Sequence, residues 1–304
     1  MSTTVTDAVG APVFAHGADP LLRVENVSIS YDAPQLFRRS KHKHVVTDVS
    51  FDIYPGETFG LVGESGSGKS TTGRAILRLL EPTTGRITFD GTDVTAFGRH
   101  TPLSYRRDVQ AVFQDPSMSL NPRQPVSMAV TAALQRHGVS SRRERERRAA
   151  ELFGHVGLTA AHLQRYPFEL SGGQQQRVAI ARSLALNPRL VVCDEALSAL
   201  DLTTQNQILN LLVDLQIETG VSYLFIGHNL EMVRYISDRI AVMRLGEIVE
   251  MAEADQLFTH PQHPYTRRLL GATPAQHPAG REERRARRHE FRVIRDLGSD
   301  VAER

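Results

Sequence analysis

Short apolar runs of strand length alternate along the chain with stretches of helical spacing. Residues 21–31 (LLRVENVSISY) and 45–53 (VVTDVSFDI) carry hydrophobic side chains at nearly every second position, the period of a half-buried strand. The Asp-Ala-Pro after Tyr31 ends the first, so residues 32–44 read as a polar loop. Residues 58–63 (TFGLVG) form an apolar strand that enters a glycine-rich turn, and Ala75, Leu77, Leu79 and Leu80 beyond it have helical spacing. A strand is expected over 109–113, a loop rich in Pro, Ser and Asn over 115–125, and a helical region over 126–163. Within that region SSRRERERRAAELF offers a serine start signal and apolar Ala149, Leu152 and Phe153, with Val156 just beyond. A helix over 174–186 leads into a buried strand over 190–193. Another over 204–217, with Ile208, Leu211, Leu212 and Leu215 on one face, leads into a strand over 223–227. Buried strands alternating with amphipathic helices predict a mainly parallel sheet covered by helices on both faces.

Composition narrows the class. With 304 residues, 40% of them hydrophobic, the chain has room for one large domain with an appendage and is neither fibrous nor wholly disordered. No run of about 18 apolar residues is present to span a membrane. Residues 1–20 lack the basic flank and apolar core of a signal peptide and read as a flexible tail. Lys and Arg total 36 against 34 Asp and Glu, a net charge of +2 that is too small to argue by itself for nucleic acid, and no nucleic-acid partner is expected. That balance conceals three basic segments, 38–43, 142–148 and 281–295, the last with seven Arg against three Glu. Both arginine runs read as solvated helix faces, and 281–295 is also a candidate contact for anionic lipid or a neighbouring subunit. The single cysteine, Cys193, excludes a disulfide framework within the chain and a four-cysteine metal site, fits a reducing compartment, and is most simply a core residue. His42 and His44 stand among lysines, which oppose a divalent ion.

The chemistry begins at Gly63-Glu64-Ser65-Gly66-Ser67-Gly68-Lys69-Ser70, a G-x-x-x-x-G-K-[ST] pattern placed after a strand and at the start of a helix. Glycines let the backbone approach phosphate, so that N–H groups and the helix N-terminus face the negative charge. Lys69 can then bridge the β- and γ-phosphates, and the Ser70 hydroxyl can ligate Mg²⁺. The G-x-G-x-x-G spacing of a dinucleotide fold is missing. The strand over 190–193 ends in Asp194 and Glu195. The first is suited to orienting the magnesium and its waters, the second to reaching the water that attacks the γ-phosphate.

Leu170-Ser171-Gly172-Gly173-Gln174, just before a helix, resembles the signature of the ATP-binding cassette (ABC) family at all five positions. The resemblance covers about residues 21–274. It implies an α/β fold: a P-loop NTPase core with an N-terminal antiparallel β subdomain, a helical signature subdomain (an insert over about 116–170) and a short C-terminal extension. The ATP-binding domain would occupy 21–250, the extension 251–274 and a charged tail 275–304. In the family the signature serves the ATP of a partner chain. The nucleotide set implied here is Tyr31, stacking on adenine, residues Gly63 to Ser70 with Thr71, Gln114 and Asp194. Ser70, Gln114 and Asp194 would hold Mg²⁺, the last through water. Lys69, Gln114, Glu195 and His228 would be catalytic, His228 contacting the γ-phosphate, and Ser198-Ala199-Leu200-Asp201 would form the loop that crosses the dimer interface. The chain departs from the family at Ala196, where proline is frequent, and at Gly227 and Asn229, where Ser and Asp are frequent; Gly227 is expected to loosen His228. An active ATPase is expected.

Residues 114–123 (QDPSMSLNPR) and the tail 246–270, with His263-Pro264-Tyr265, resemble the oligopeptide and dipeptide importer branch. That branch often binds an iron–sulfur cluster through later cysteines, and no cysteine follows Cys193, which excludes a cluster here. The implied cofactors are ATP and Mg²⁺. The implied partners are two transmembrane permease subunits, a second ATP-binding subunit (related chain or second copy) and, indirectly, an extracytoplasmic solute-binding protein, with this chain peripheral on the cytoplasmic face of the membrane. Relatives of the branch also import nickel chelates, glutathione and opine-like compounds. The rival class, a soluble ABC-type ATPase acting on nucleic acid or ribosomes, usually has two cassettes, a long coiled coil or a zinc hook. This sequence has one cassette, no sustained heptads and no Cys-x-x-Cys.

Overall fold

A computed structural model describes residues 19–33 and 41–271. The expectations for 1–18 and for the charged tail 275–304 lie outside them. The chain opens with β1 (Leu22–Ala33) and β2 (Lys41–Ile53), then β3 (Thr58–Val62), helix α1 (Lys69–Ile76), β4 (Thr84–Phe89), β5 (Thr92–Asp93), α2 (Leu103–Asp108) and β6 (Val109–Phe113). Three helices follow: α3 (Pro116–Ser119), α4 (Ser127–Arg136) and α5 (Arg142–His155). The second half alternates α6 (Gly172–Leu184), β7 (Leu190–Asp194), α7 (Leu202–Thr219), β8 (Ser222–Gly227), α8 (Leu230–Ile236), β9 (Arg239–Arg244) and β10 (Glu247–Glu253), and closes with α9 (Ala254–Thr259) and α10 (Pro264–Gly271).

These strands form two sheets. The first, in the order β2-β1-β4-β5, is antiparallel throughout. The second runs β10-β9-β3-β8-β7-β6 and is parallel except for the β10 edge. Its apolar runs are continuous because both faces are buried and successive side chains point to opposite sides. Val191, Cys193, Tyr223, Phe225, Ile240 and Val242 enter a cluster with α4 to α8. Leu190, Val192, Leu224, Ile226, Ala241 and Met243 enter a second cluster with α1 and the antiparallel sheet. Cys193 is fully buried, which pushes its thiol up to about 12 and matches the core role expected of it.

Three local expectations need correction. Residues 32–44 are not wholly loop: β1 runs to Ala33 and β2 starts at Lys41, with Ala33 paired to Lys41, because strand pairing overrides the polar sequence. The helix after the glycine-rich turn ends at Ile76 rather than Leu80, since Arg78 turns left-handed at φ 55°. The helical region 126–163 is two helices, broken at Gly138 with φ 92°. The second starts where Ser141 Oγ accepts the Glu144 backbone N–H at 3.3 Å. Its arginines pair along the helix with Glu144, Glu146 and Glu151, as a solvated face does.

Candidate functional site

Strand register brings the chemistry to one edge. Val62 stands beside Gly227, Ile226 beside Asp194, and Asp194 beside Phe113, so four neighbouring parallel strands end level. The residues just past those ends are Gly63, His228, Glu195 and Gln114. Ligands of open α/β sheets bind in the crevice outside the carboxyl ends of the strands.

The glycine-rich turn is a fixed cradle. Gly63 has φ 152° and Gly68 φ 104°, and a Cβ would stand 2.2 Å from Met243 O at the first and 2.7 Å from Val45 O at the second. Gly246 N donates to Ser67 O at 3.1 Å while Thr47 N donates to Gly246 O at 2.8 Å, which ties the turn to the start of the antiparallel sheet. Lys69 opens α1 and is only 4% exposed. Its ammonium donates to Gly63 O and Glu64 O, both at 2.8 Å, and to Ser67 Oγ at 3.2 Å. Burial holds its pKa below the usual lysine range, against the opposing pull of the Glu195 and Asp194 carboxylates.

Ser70 and Asp194 meet across the site, the hydroxyl donating to Asp194 Oδ1 at 2.7 Å. Burial raises the Asp194 pKa, and that hydrogen bond opposes the rise. Glu195 adopts a left-handed backbone at φ 49°, unusual for a residue with a Cβ and a form of strain found at functional sites. Its N–H donates to Ile226 O at 3.0 Å, and its carbonyl accepts from Ser198 N at 3.1 Å and Ser198 Oγ at 3.0 Å. So held, Glu195 Oε1 lies 3.6 Å from His228 Nδ1; the histidine side chain is 53% exposed and the glutamate 19%.

The starts of α6 and α7 lie together. Ser171 caps α6, its Oγ accepting from Gln174 N at 3.3 Å while Gln174 Oε1 accepts Ser171 N at 2.9 Å. Asp201 caps α7, accepting Thr204 N at 2.9 Å and Thr204 Oγ1 at 2.7 Å. The two helices approach so closely that a Cβ on Gly173 would be 2.6 Å from Thr204 Cγ2. Ser171, Gly172, Ala199 and Asp201 are exposed, Ser198 and Leu200 half-buried, and Leu170 buried.

A family model described as ABC transporter matches residues 46–198, and one described as oligopeptide/dipeptide transporter, C-terminal region, matches residues 249–296. A glutathione import ATP-binding protein, GsiA, from Pectobacterium atrosepticum is 47% identical over 280 residues, 91% of this chain and 45% of that protein. This chain is a member of the ABC transporter family. The GsiA of Salmonella choleraesuis is 49% identical over 271 residues, 88% of this chain and 43% of that protein. The chain thus spans less than half the length of the curated relatives it matches. Among solved structures, cbiO1 from Clostridium perfringens, part of the ABC transporter complex cbiONQ, is 26% identical with a TM-score of 0.70 over 80% of this chain and 92% of its own. An ATP-binding cassette solved as a dimer in a post-hydrolysis state with ADP and Pi is 29% identical, with a TM-score of 0.66 over 77% of this chain and 98% of its own.

Within the ABC frame, the sequence-level candidates fall in two groups. Gly63 to Thr71, Asp194, Glu195, His228 and Gln114 gather at the level strand ends, while residues 170–174 and 198–201 gather at the paired starts of α6 and α7. Tyr31 lies on β1, 43% exposed and opposite Lys43 in the register. Gly227 lies in β8 beside Val62, and a Cβ there would meet Val233 Cγ2 at 3.0 Å. Asn229 caps α8 as an aspartate would, its Oδ1 accepting from Glu231 N and Met232 N. Sequence reasoning missed one contact: the Glu64 backbone N–H donates to the Tyr265 hydroxyl at 3.2 Å. Tyr265 was legible there only as a mark of the importer branch.

Proposed function

We propose that this chain is the ATP-hydrolysing, energy-coupling subunit of an ABC importer for oligopeptides, dipeptides or related small solutes. The observation that carries the reading is the meeting of a preformed phosphate cradle with the Glu195 and His228 pair at the level ends of neighbouring parallel strands. ATP lies with its phosphates on the loop from Gly63 to Thr71 and its adenine on Tyr31. Lys69 leaves the carbonyls of Gly63 and Glu64 for the β- and γ-phosphates, which offer a buried ammonium a full negative charge. Glu195 takes the proton of the attacking water, and His228 holds Glu195 and the γ-phosphate in line.

A magnesium ion fits the same residues. The Ser70 hydroxyl and the Asp194 carboxylate already stand together, and hard oxygen donors suit this ion. Ser70, Gln114 and Asp194 would hold the ion, the last through water, and the ion would supply positive charge against the phosphates.

Two such subunits, this chain with a second copy or a related chain, enclose two ATP molecules between the loop of one and the Ser171 surface of the other. The exposure of Ser171, Gly172 and Asp201 supports this arrangement. Closure then drives two transmembrane permease subunits on the cytoplasmic side of the membrane, fed by a solute-binding protein. No helix among the described residues is long and apolar enough to cross a membrane, which suits a peripheral position. The names of the relatives bring glutathione, a tripeptide, within the range of solutes.

The test is nucleotide binding. In Lys69→Ala, loss of charge-assisted hydrogen bonds to phosphate weakens ATP about 100-fold or more. Wild-type affinity in that variant overturns the phosphate-loop assignment.

A further inference from the structure

We propose that Tyr265 in the C-terminal extension is a positioning residue for the phosphate loop: its hydroxyl fixes the Gly63–Glu64 peptide on which Lys69 rests and so sets the subunit's affinity for ATP. The inference rests on the nucleotide reading given above. It starts from one peptide unit held from both sides. The N–H of that unit, on Glu64, donates to Tyr265 Oη at 3.2 Å, and its carbonyl, on Gly63, accepts the Lys69 ammonium at 2.8 Å. The unit is trans, so the two groups point in opposite directions. Tyr265 therefore grips the outside of the loop at the unit whose inside holds the lysine.

The grip is firm because Tyr265 is itself triangulated. The residue is 4% exposed, and the Arg244 guanidinium at the end of β9 lies 5.1 Å from the ring centroid. Its backbone N–H donates to His263 Nδ1 at 3.2 Å. The turn before it is tied to β10, where Glu250 accepts Gln262 N at 2.7 Å and His263 N at 3.0 Å. Arg267 Nε closes the turn by donating to Pro261 O at 2.9 Å. The three residues of His263-Pro264-Tyr265 thus act in sequence, His263 receiving the tyrosine's N–H, Pro264 opening α10 and Tyr265 reaching the loop.

The peptide needs such a hold. Gly63 has no side chain to resist rotation of the unit that follows it, and Glu64, Ser65 and Gly66 are exposed. An N–H turned outward also does not face phosphate; it serves as the fixed point from which the inward-facing groups are aimed. Without the hydroxyl the peptide is held by Lys69 alone, which moves to the phosphates when nucleotide binds, so ATP must order the unit on binding.

The experiment is a titration of the purified full-length chain with a fluorescent ATP analogue and Mg²⁺, beside thermal melts without nucleotide. The variants are Tyr265→Phe, which keeps the ring beneath Arg244, and Lys69→Ala. One hydrogen bond of net strength predicts about 3- to 10-fold weaker binding in Tyr265→Phe, with a Tm within about 4 °C of wild type, so that the chain stays folded throughout the titration. In the assembled transporter the KM for ATP rises by the same factor while kcat at saturating ATP holds. Wild-type affinity in Tyr265→Phe, with Lys69→Ala still defective, overturns this inference alone. So does a loss of affinity that only follows a fall in Tm. A wild-type chain that binds no analogue overturns the nucleotide reading and this inference with it.

Discussion

Glu195 and His228 leave the ends of adjacent strands and meet with Oε1 3.6 Å from Nδ1. The left-handed turn at Glu195, φ 49°, aims the carboxylate there and is offset by the hydrogen bonds that its own N–H and carbonyl make to Ile226 and Ser198. Position at this point is worth rate, because displacing a catalytic group by about 1 Å costs on the order of 10²-fold.

His228→Ala is therefore expected to lower ATP turnover on the order of 10²-fold while Mg-ATP affinity stays within a few-fold of wild type. Steady-state hydrolysis in the assembled complex, beside a nucleotide titration, separates the two. Equal losses in binding and turnover would assign the histidine to binding.

Asp194 predicts a conflict between stability and function. Burial raises its pKa in the folded chain above the unfolded value, so the folded state binds the proton more tightly. Its cost to folding is absent below the unfolded carboxylate pKa and grows as pH rises through the folded one. Asp194→Asn should raise the Tm of the nucleotide-free chain near neutral pH, lose that advantage as pH falls through the same window, and weaken Mg-ATP binding. Melts from about pH 4 to about pH 7.5 check the sign, and a lower Tm at neutral pH contradicts it.

How much of this was open to sequence depends on distance along the chain. Strands β3, β7 and β8 are buried on both faces, so each shows as a continuous apolar run, and local order then placed Gly63 to Ser70, Asp194, Glu195 and His228 correctly at strand ends. The extension of β1 and β2 to Ala33 and Lys41 was hidden because it depends on pairing between strands rather than on hydrophobicity. The left-handed turns at Arg78 and Glu195 have no glycine to mark them. Tyr265 meets a loop 201 residues earlier, a contact with no local trace in the sequence.

Gly173 yields a test of the paired helix starts. In Gly173→Ala the new methyl collides with Thr204 Cγ2, 2.6 Å from the ideal Cβ, and overpacking of this kind costs about 1–3 kcal/mol. Adding Thr204→Ser removes the obstructing methyl and keeps the hydroxyl that bonds Asp201. Chemical denaturation should show most of the lost stability restored in the double variant, with ATPase activity following it. Strict additivity of the two changes would mean that the helices do not couple here.

Hydrolysis by a Glu195 base is the central claim, and ATP turnover of Glu195→Gln in the assembled complex tests it most directly. Glutamine keeps the size and hydrogen-bonding capacity of the side chain and removes its ability to accept the proton of water. Turnover is expected to fall about 10²- to 10⁴-fold with Mg-ATP still bound. Turnover equal to wild type would contradict the claim.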